Sequence, residues 1–110
     1  MRETVSCLAE AAGVVWRRRD DCVLAVNELV TNSLLHGGGR GRLRIWADPD
    51  AFVCEVHDAG RIDDPLVGRR APRPGCEHGR GLWIVHHLCD LTQIRSSPTA
   101  GTTVRITTWL

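Results

Sequence analysis

The chain has 110 residues, of which 43% are hydrophobic and 25% are charged, the composition of one small globular domain with a modest core. Its formal net charge of +1 gives no reason to expect binding to nucleic acid or to a membrane surface. No apolar run is long enough to span a bilayer and the N-terminus lacks the apolar segment of a signal peptide, so we predict a cytoplasmic protein.

Two residue types narrow the function further. The five cysteines are odd in number and have no paired spacing, which favours reduced thiols that act as small core residues. All fourteen basic residues are arginine. Because a phosphate-binding P-loop and the protein-kinase fold each need a lysine, both classes of nucleotide-binding protein are excluded.

The N-terminal part of the chain predicts a short first helix. Residues 3–12 form this helix, with Thr4 as its cap and Gly13 just past its end. The expected buried stripe consists of Val5, Leu8, Ala9 and Ala12. The run of three arginines at 17–19 is interpreted as a solvated connector rather than as a nucleic-acid contact.

The segment Asp21–His36 predicts the central helix of the domain. Asp20 or Asp21 is expected to cap its first turn, and the glycines at 37–39 end it. Its apolar residues form a broad surface that we expect to be mostly buried: Val23, Leu24, Val26, Leu29, Val30 and Leu34.

Three polar residues interrupt this apolar surface. Glu28, Asn32 and His36 follow one another at four-residue steps, so they lie along one side of the helix. Burying a carboxylate and an amide without partners costs free energy. We therefore predict that they line a site.

The rest of the chain alternates between strands, a loop and one helix. Four strands are predicted, at Leu43–Trp46, Phe52–His57, Leu91–Arg95 and Thr102–Trp109, which form two hairpins. Residues 63–78 form a long loop, and a third helix opens at Gly79-Arg80-Gly81-Leu82. Four strands with helices on one face make an α/β two-layer sandwich, and we expect residues 1–110 to form a single domain.

Three segments of this fold together suit a nucleotide. Glu28 and Asn32 come from the central helix, and Asp58, followed by Gly60, ends a strand. The backbone amides of residues 79–81 open a helix, where phosphate oxygens bind well. An aspartate accepts a hydrogen bond from an exocyclic amine, an asparagine oxygen suits magnesium, and a glutamate can take a proton from an attacking hydroxyl.

These segments resemble the motifs of one known family in the correct order over residues 20–106. Asn27–Ser33 with His36 and Gly37 resembles the N-box of the GHKL ATPases, Asp58–Gly60 their first glycine box, Gly79–Leu82 the second, and Gly101–Val104 the closing strand. The resemblance implies the Bergerat ATP-binding fold, an α/β two-layer sandwich with a mixed, mainly antiparallel sheet. Within that superfamily the small size and the segment ELVTNSLLHG most resemble the anti-sigma-factor serine kinases of actinobacterial type.

The resemblance also implies a role for each matching residue. Asn32 is expected to bind Mg²⁺ and Glu28 to act as the general base. The adenine end of ATP is implied at Asp58, with Gly60 and Thr102 supporting it. The phosphate end is implied at Gly79, Arg80, Gly81 and Leu82, beneath an ATP lid formed by residues 64–78.

The function implied is that of an Mg-ATP-dependent serine protein kinase and anti-sigma factor. It would phosphorylate an anti-anti-sigma-type partner and bind a sigma factor, and a homodimer is compatible with the resemblance. Two alternatives stay open: a non-catalytic ATP-binding interaction module, and the detached catalytic domain of a sensor histidine kinase.

A zinc site and a tryptophan-lined partner surface are two further interpretations. Zinc ligands are available at Cys76, His78, His86, His87 and Cys89, although their spacing matches no standard motif. Trp46, Trp83 and Trp109 are available for a partner surface, but in a domain with one phenylalanine and no tyrosine we predict that they belong to the core.

Overall fold

The computed structural model describes residues 2–38, 40–60 and 80–110, with the backbone alone at His36 and Arg80. The predicted loop at 63–78, with its lid at 64–78, lies outside these residues. The elements, in chain order, are α1 (Arg2–Ala12), α2 (Trp16–His36), β1 (Gly41–Asp48), β2 (Ala51–Asp58), α3 (Arg80–Leu88), β3 (Leu91–Ser97) and β4 (Gly101–Trp109).

The described strands form one sheet in the order β1-β2-β4-β3, and all three pairings between them are antiparallel. The two predicted hairpins, β1–β2 and β3–β4, are therefore joined through β2 and β4 at the centre of the sheet. With the helices packed on one face, this is the predicted α/β two-layer sandwich.

The core lies between the helices and one face of the sheet. Because side chains alternate along a strand, every second residue of each strand faces the helices. The central strands and the helices supply the buried residues Val26, Leu29, Phe52, Cys54, Val56, Leu82, Val85, Val104 and Ile106, among others. The same alternation leaves the other residues of each strand on the opposite face of the sheet.

The first helix differs from its prediction at its start and along its buried stripe. It begins at Arg2, so Thr4 lies inside the helix and is not its cap. Val5 and Ala9 are buried, but Leu8 is exposed. The helix rests on the core along a stripe too narrow to include Leu8.

The central helix begins five residues earlier than predicted. It starts at Trp16 after Val15, which makes no side-chain capping hydrogen bond, so the prediction of an aspartate cap was wrong. The arginines at 17–19 are helical and are not a connector. Arg18 Nη1 donates to Asp90 Oδ2 at 2.8 Å and Arg19 Nε donates to the Val14 carbonyl at 3.1 Å. These contacts support the additional first turn of the helix, and arginine is itself a good helix former.

Several apolar residues expected in the core are exposed. Leu34 is 60% exposed and Leu24 also reaches solvent, because α2 is covered on one side only. Trp109 is more than half exposed, whereas Trp46 and Trp83 are half-buried, so none of these three tryptophans is a core residue.

Three of the cysteines occupy the core as predicted. Cys22, Cys54 and Cys89 are buried, and Cys7 is exposed. Burial raises the pKa of both Cys54 and Cys89 to about 12, so these thiols stay protonated at neutral pH. No helix among the described residues is long and apolar enough to cross a bilayer.

Candidate nucleotide site

Asp58 lies at the end of β2, where the two hairpins meet. It is half-buried and pairs with Gly41 of β1 on one side and with Thr102 of β4 on the other. Its Oδ1 atom accepts a hydrogen bond from the Gly60 N–H at 2.8 Å, which forms a tight turn directly after the strand. The carboxylate is therefore fixed by its own turn and keeps unused acceptor capacity.

A chain of hydroxyl groups holds this turn against β4. Thr102 is buried, and its Oγ1 donates to the Gly60 carbonyl at 2.8 Å. The Ser96 hydroxyl oxygen lies 2.7 Å from Thr102 Oγ1. Because the single proton of Thr102 goes to Gly60, Ser96 donates to Thr102, and the turn is tied to both β4 and β3.

Two glycines pack directly against Asp58. A Cβ atom added at Gly37, the C-cap of α2, would collide with the Asp58 Cγ and Oδ2 atoms. One added at Gly101, which has φ +78°, would collide with the Asp58 carbonyl. The Ala59 N–H donates to the Gly37 carbonyl at 3.2 Å. The end of α2 and the start of β4 thus enclose the backbone and carboxylate of Asp58.

Glu28 lies against the first turn of α3. A Cβ atom added at Gly81 would be 3.0 Å from the Glu28 Oε2 atom, tighter than ordinary van der Waals contact. The carboxylate is half-buried, and no donor among the described residues lies within hydrogen-bonding distance of it. Asn32, one turn further along α2, is also half-buried. The central helix therefore presents, at the first turn of α3, an acidic group that has no partner among the described residues.

The sequence model of the family described as "Histidine kinase-like ATPase domain" matches residues 1–108. The chain belongs to this family. It is also similar to two proteins named "Anti-sigma F factor", from Bacillus subtilis (strain 168) and from Bacillus velezensis. Each is 30% identical over 92 residues, which cover 74% of this chain and 63% of the relative. The match thus spans less than two thirds of the length of these relatives.

The structure brings the predicted residues of this histidine kinase-like ATPase domain together in two groups. Asp58, Gly60 and Thr102 are joined by hydrogen bonds at one end of the sheet. Glu28 and Gly81 are in contact where α2 meets α3. No described contact joins Asn32 to either group.

The other residues of the predicted phosphate end are only partly described. The side chain of Leu82 is buried in the core, so only its backbone amide, in the first turn of α3, is available for the predicted role. Gly79 and the side chain of Arg80 lie outside the described part of the chain.

Two features of the site were missed by sequence reasoning. Gly37 and Gly101 were matched to the family motifs, but their contact with Asp58 was not expected. The signal available was that each is a glycine beside a motif residue, and a glycine in such a position often allows a close backbone approach. The role of Ser96 has no sequence signal, because it depends on the register between β3 and β4.

No group of three or more metal-ligating side chains occurs among the described residues. Two of the residues considered for zinc, Cys76 and His78, lie outside them. Of the others, Cys89 is buried with a raised pKa, and the ring of His87 is hydrogen-bonded to the Trp83 carbonyl at 2.8 Å.

Proposed function

We propose that this chain binds Mg-ATP and acts as a regulatory serine protein kinase and anti-sigma factor, whose substrate is a partner of the anti-anti-sigma type. The observation that carries the proposal is the enclosure of Asp58 by two glycines and a buried threonine. Such a carboxylate is held in one orientation before any ligand binds, so an amine is recognised without a reorganisation cost.

The base end of ATP is assigned to Asp58. Its Oδ1 atom already accepts the Gly60 N–H, and the carboxylate has lone pairs left for the exocyclic amine of adenine. Thr102 supports this end by fixing the Gly60 carbonyl. The hydroxyl groups of Thr102 and Ser96 therefore fix the position of the turn against which the base would lie.

The phosphate end is assigned to the start of α3. The amides of residues 80–82, in the first turn of the helix, have no intrahelical acceptor, and their dipoles favour negative charge. Because Gly81 has no side chain, the Glu28 carboxylate lies close to the backbone at this helix start. We assign Gly79 and Arg80 to the same end on the family resemblance.

Glu28 is assigned as the general base. It is half-buried and unpaired among the described residues, so its carboxylate is available for a proton. In the transfer, the serine oxygen of the partner bonds to the γ-phosphorus, the bond from that phosphorus to the β–γ bridging oxygen breaks, and ADP leaves. Glu28 takes the serine proton.

Asn32 is the residue that would hold the magnesium ion. Its amide oxygen is a hard ligand, of the kind that magnesium accepts beside phosphate oxygens, and Asn32 lies on the same side of α2 as Glu28. When bound there, magnesium supplies neutralisation of the charge on the phosphates.

The proposed partners follow from the similarity to the anti-sigma F factors and from the sequence resemblance. The proteins similar to this chain are named for action on a sigma factor, and we extend that role to this chain. An anti-anti-sigma-type protein is then the phosphate acceptor. A homodimer remains compatible with this role.

The first test is calorimetric titration of the wild type and of Asp58→Ala and Asn32→Ala with ATP, with and without magnesium. Asp48→Ala, an exposed aspartate at the opposite end of β1, is the matched control. We expect micromolar binding, about 8 kcal/mol, that is lost in Asp58→Ala, weakened in Asn32→Ala and unchanged in the control. A folded wild type without ATP binding would refute the nucleotide site.

The second test separates a kinase from a binding module. Wild type and Glu28→Gln are incubated with labelled ATP and an anti-anti-sigma-type protein from the same genome. We expect phosphoserine with the wild type and a loss of at least about a hundredfold in Glu28→Gln. ATP binding without transfer would favour the non-catalytic module, and label on a histidine would favour a histidine kinase.

A further inference from the structure

The face of the sheet that points away from the helices is rich in arginine. We call it the outer sheet face, and the residues of neighbouring strands that share it are Arg42, Arg44, Trp46, Asp48, Ala51, Val53, Glu55, His57, Leu91, Gln93, Arg95, Thr103, Arg105, Thr107 and Trp109. Leu43, Ile45, Cys54 and Ile94 alternate with them and pack against the core. No described helix covers this face.

Part of the outer sheet face is a preformed cluster of charged and aromatic groups. Arg105 donates to Glu55 Oε2 through Nε at 2.8 Å, and its Nη2 atom lies 2.7 Å from the same oxygen. The guanidinium groups of Arg44 and Arg105 lie 5.6 Å and 5.2 Å from the centre of the Trp46 ring. These contacts hold long side chains in place and reduce the entropy that a partner would have to remove.

Two other arginines on the outer sheet face have no acidic partner. Arg42 and Arg95 are exposed at the two edges of one row across the sheet, and no acidic side chain of the described residues lies within ion-pair distance of either. Arg95 also lines a shallow basin of about 370 Å³, together with Glu55, Gln93 and Arg105. The face carries four arginines and two acidic residues, Asp48 and Glu55, so its formal charge of +2 exceeds the +1 of the whole chain.

We propose that the outer sheet face is a docking surface for an acidic, partly apolar segment of a protein partner. Arg42 and Arg95 would pair with its carboxylates, and Trp46 would supply the apolar contact. Arginine and tryptophan are the residues that most often carry binding energy at protein interfaces. The surface is separate from the nucleotide site, so the proposal goes beyond the proposed kinase function and does not depend on it.

Charge and geometry favour this occupant over two others. Two copies of the same face would bring eight arginines together, which disfavours self-association through it. A nucleic acid binds by neutralising a run of phosphates and by stacking bases on free rings. Here Trp46 already contacts two guanidinium groups, and of the four arginines on the face two, Arg42 and Arg95, have no acidic partner among the described residues.

The test uses fluorescence anisotropy of the full chain with a labelled peptide of repeated Glu-Glu-Leu units, at about 0.15 M salt. Arg42→Glu/Arg95→Glu is compared with Arg2→Glu/Arg17→Glu, which makes the same charge change on exposed positions of the helical layer. Arg42→Gln/Arg95→Gln, which only removes charge, gives a graded intermediate. Circular dichroism checks that every variant is folded.

We expect the peptide to bind the wild type and the helical-layer control equally, and to bind Arg42→Glu/Arg95→Glu at least about tenfold more weakly. Equal weakening in both charge-reversed variants, or no binding to the wild type, would overturn the proposal. Tighter binding of a single-stranded oligonucleotide would reassign the face to nucleic acid. A wild-type dimer in sedimentation that Arg42→Glu/Arg95→Glu dissociates would reassign it to a second copy of the chain.

Discussion

Replacing Gly37 by alanine tests whether the close approach of α2 to Asp58 holds the site together. The backbone of Gly37 has φ −98°, which alanine adopts without strain. The whole effect must therefore come from the added methyl group, which would overlap the Asp58 carboxylate and lie 2.5 Å from the Ser33 carbonyl oxygen. Either Asp58 or the end of α2 has to move.

The magnitude follows from what that movement breaks. Overpacking of this kind costs about 1–3 kcal/mol, and the hydrogen bond from the Gly60 N–H to the charged Asp58 contributes about 1.5–3 kcal/mol. We expect the free energy of unfolding of Gly37→Ala to fall by about 2 kcal/mol or more. If Asp58 binds the adenine amine, ATP affinity should fall roughly tenfold to a hundredfold.

Urea unfolding and calorimetric ATP titration measure both effects, with Gly13→Ala as the matched control. Gly13 has φ +98° and nothing within 4 Å of an added Cβ, so alanine there costs about 1 kcal/mol of backbone strain and leaves ATP binding unchanged. In Gly37→Ala/Asp58→Ala one of the two overlaps is gone, so the stability losses should be less than additive. Wild-type stability and ATP affinity in Gly37→Ala would refute this account of the site.

Three further predictions concern stability and thiol chemistry. Asp90→Asn should lower the free energy of unfolding by about 1 kcal/mol at pH 7 in urea titrations. The hydrogen bond from Arg18 lowers the pKa of Asp90 from its ordinary value of 3.8. The extra stability of the wild type is therefore fully present above pH 3.8 and is lost as the pH falls through the lowered pKa. A stability difference between wild type and Asp90→Asn that is as large at pH 3 as at pH 7 would contradict this. Thr102→Val should cost about 1–3 kcal/mol in the same assay and weaken ATP binding. Thr102→Ser keeps the hydroxyl and loses one buried methyl group, so it should cost about 1 kcal/mol or less and leave ATP binding unchanged. In native protein at pH 8, iodoacetamide followed by mass spectrometry should find Cys7 modified and Cys54, whose pKa is raised to about 12, unmodified.

The strands and the fold class were predictable because their signals are local. Alternation of apolar and polar residues marks β1, a mainly apolar run marks β2, and the turn between them at Asp48-Pro49-Asp50 sets an antiparallel hairpin. The four motifs then predicted that Asp58 and Thr102 lie close together at one end of the site. Their contact through Gly60 agrees with that placement.

The start of α2 was not predictable, because it depends on a contact distant in the sequence. The ion pair that extends the helix joins Arg18 to Asp90, 72 residues away. Asp21 offered a local capping signal, and the tertiary contact outweighed it. The exposure of Leu34 has a similar origin, since a helical apolar stripe does not reveal how much of it the sheet will cover.

The position of Asp58 between two hairpins has a consequence for how the proposed site forms during folding. Thr102 and Gly60 are 42 residues apart, whereas each hairpin closes over a short turn. Contacts between residues far apart in the sequence require the closure of a long loop, which costs entropy, and they form more slowly than local contacts. The proposed base site therefore does not exist in either hairpin alone. On this assignment ATP binds only after the hairpins have docked, and it then stabilises the completed sheet by mass action.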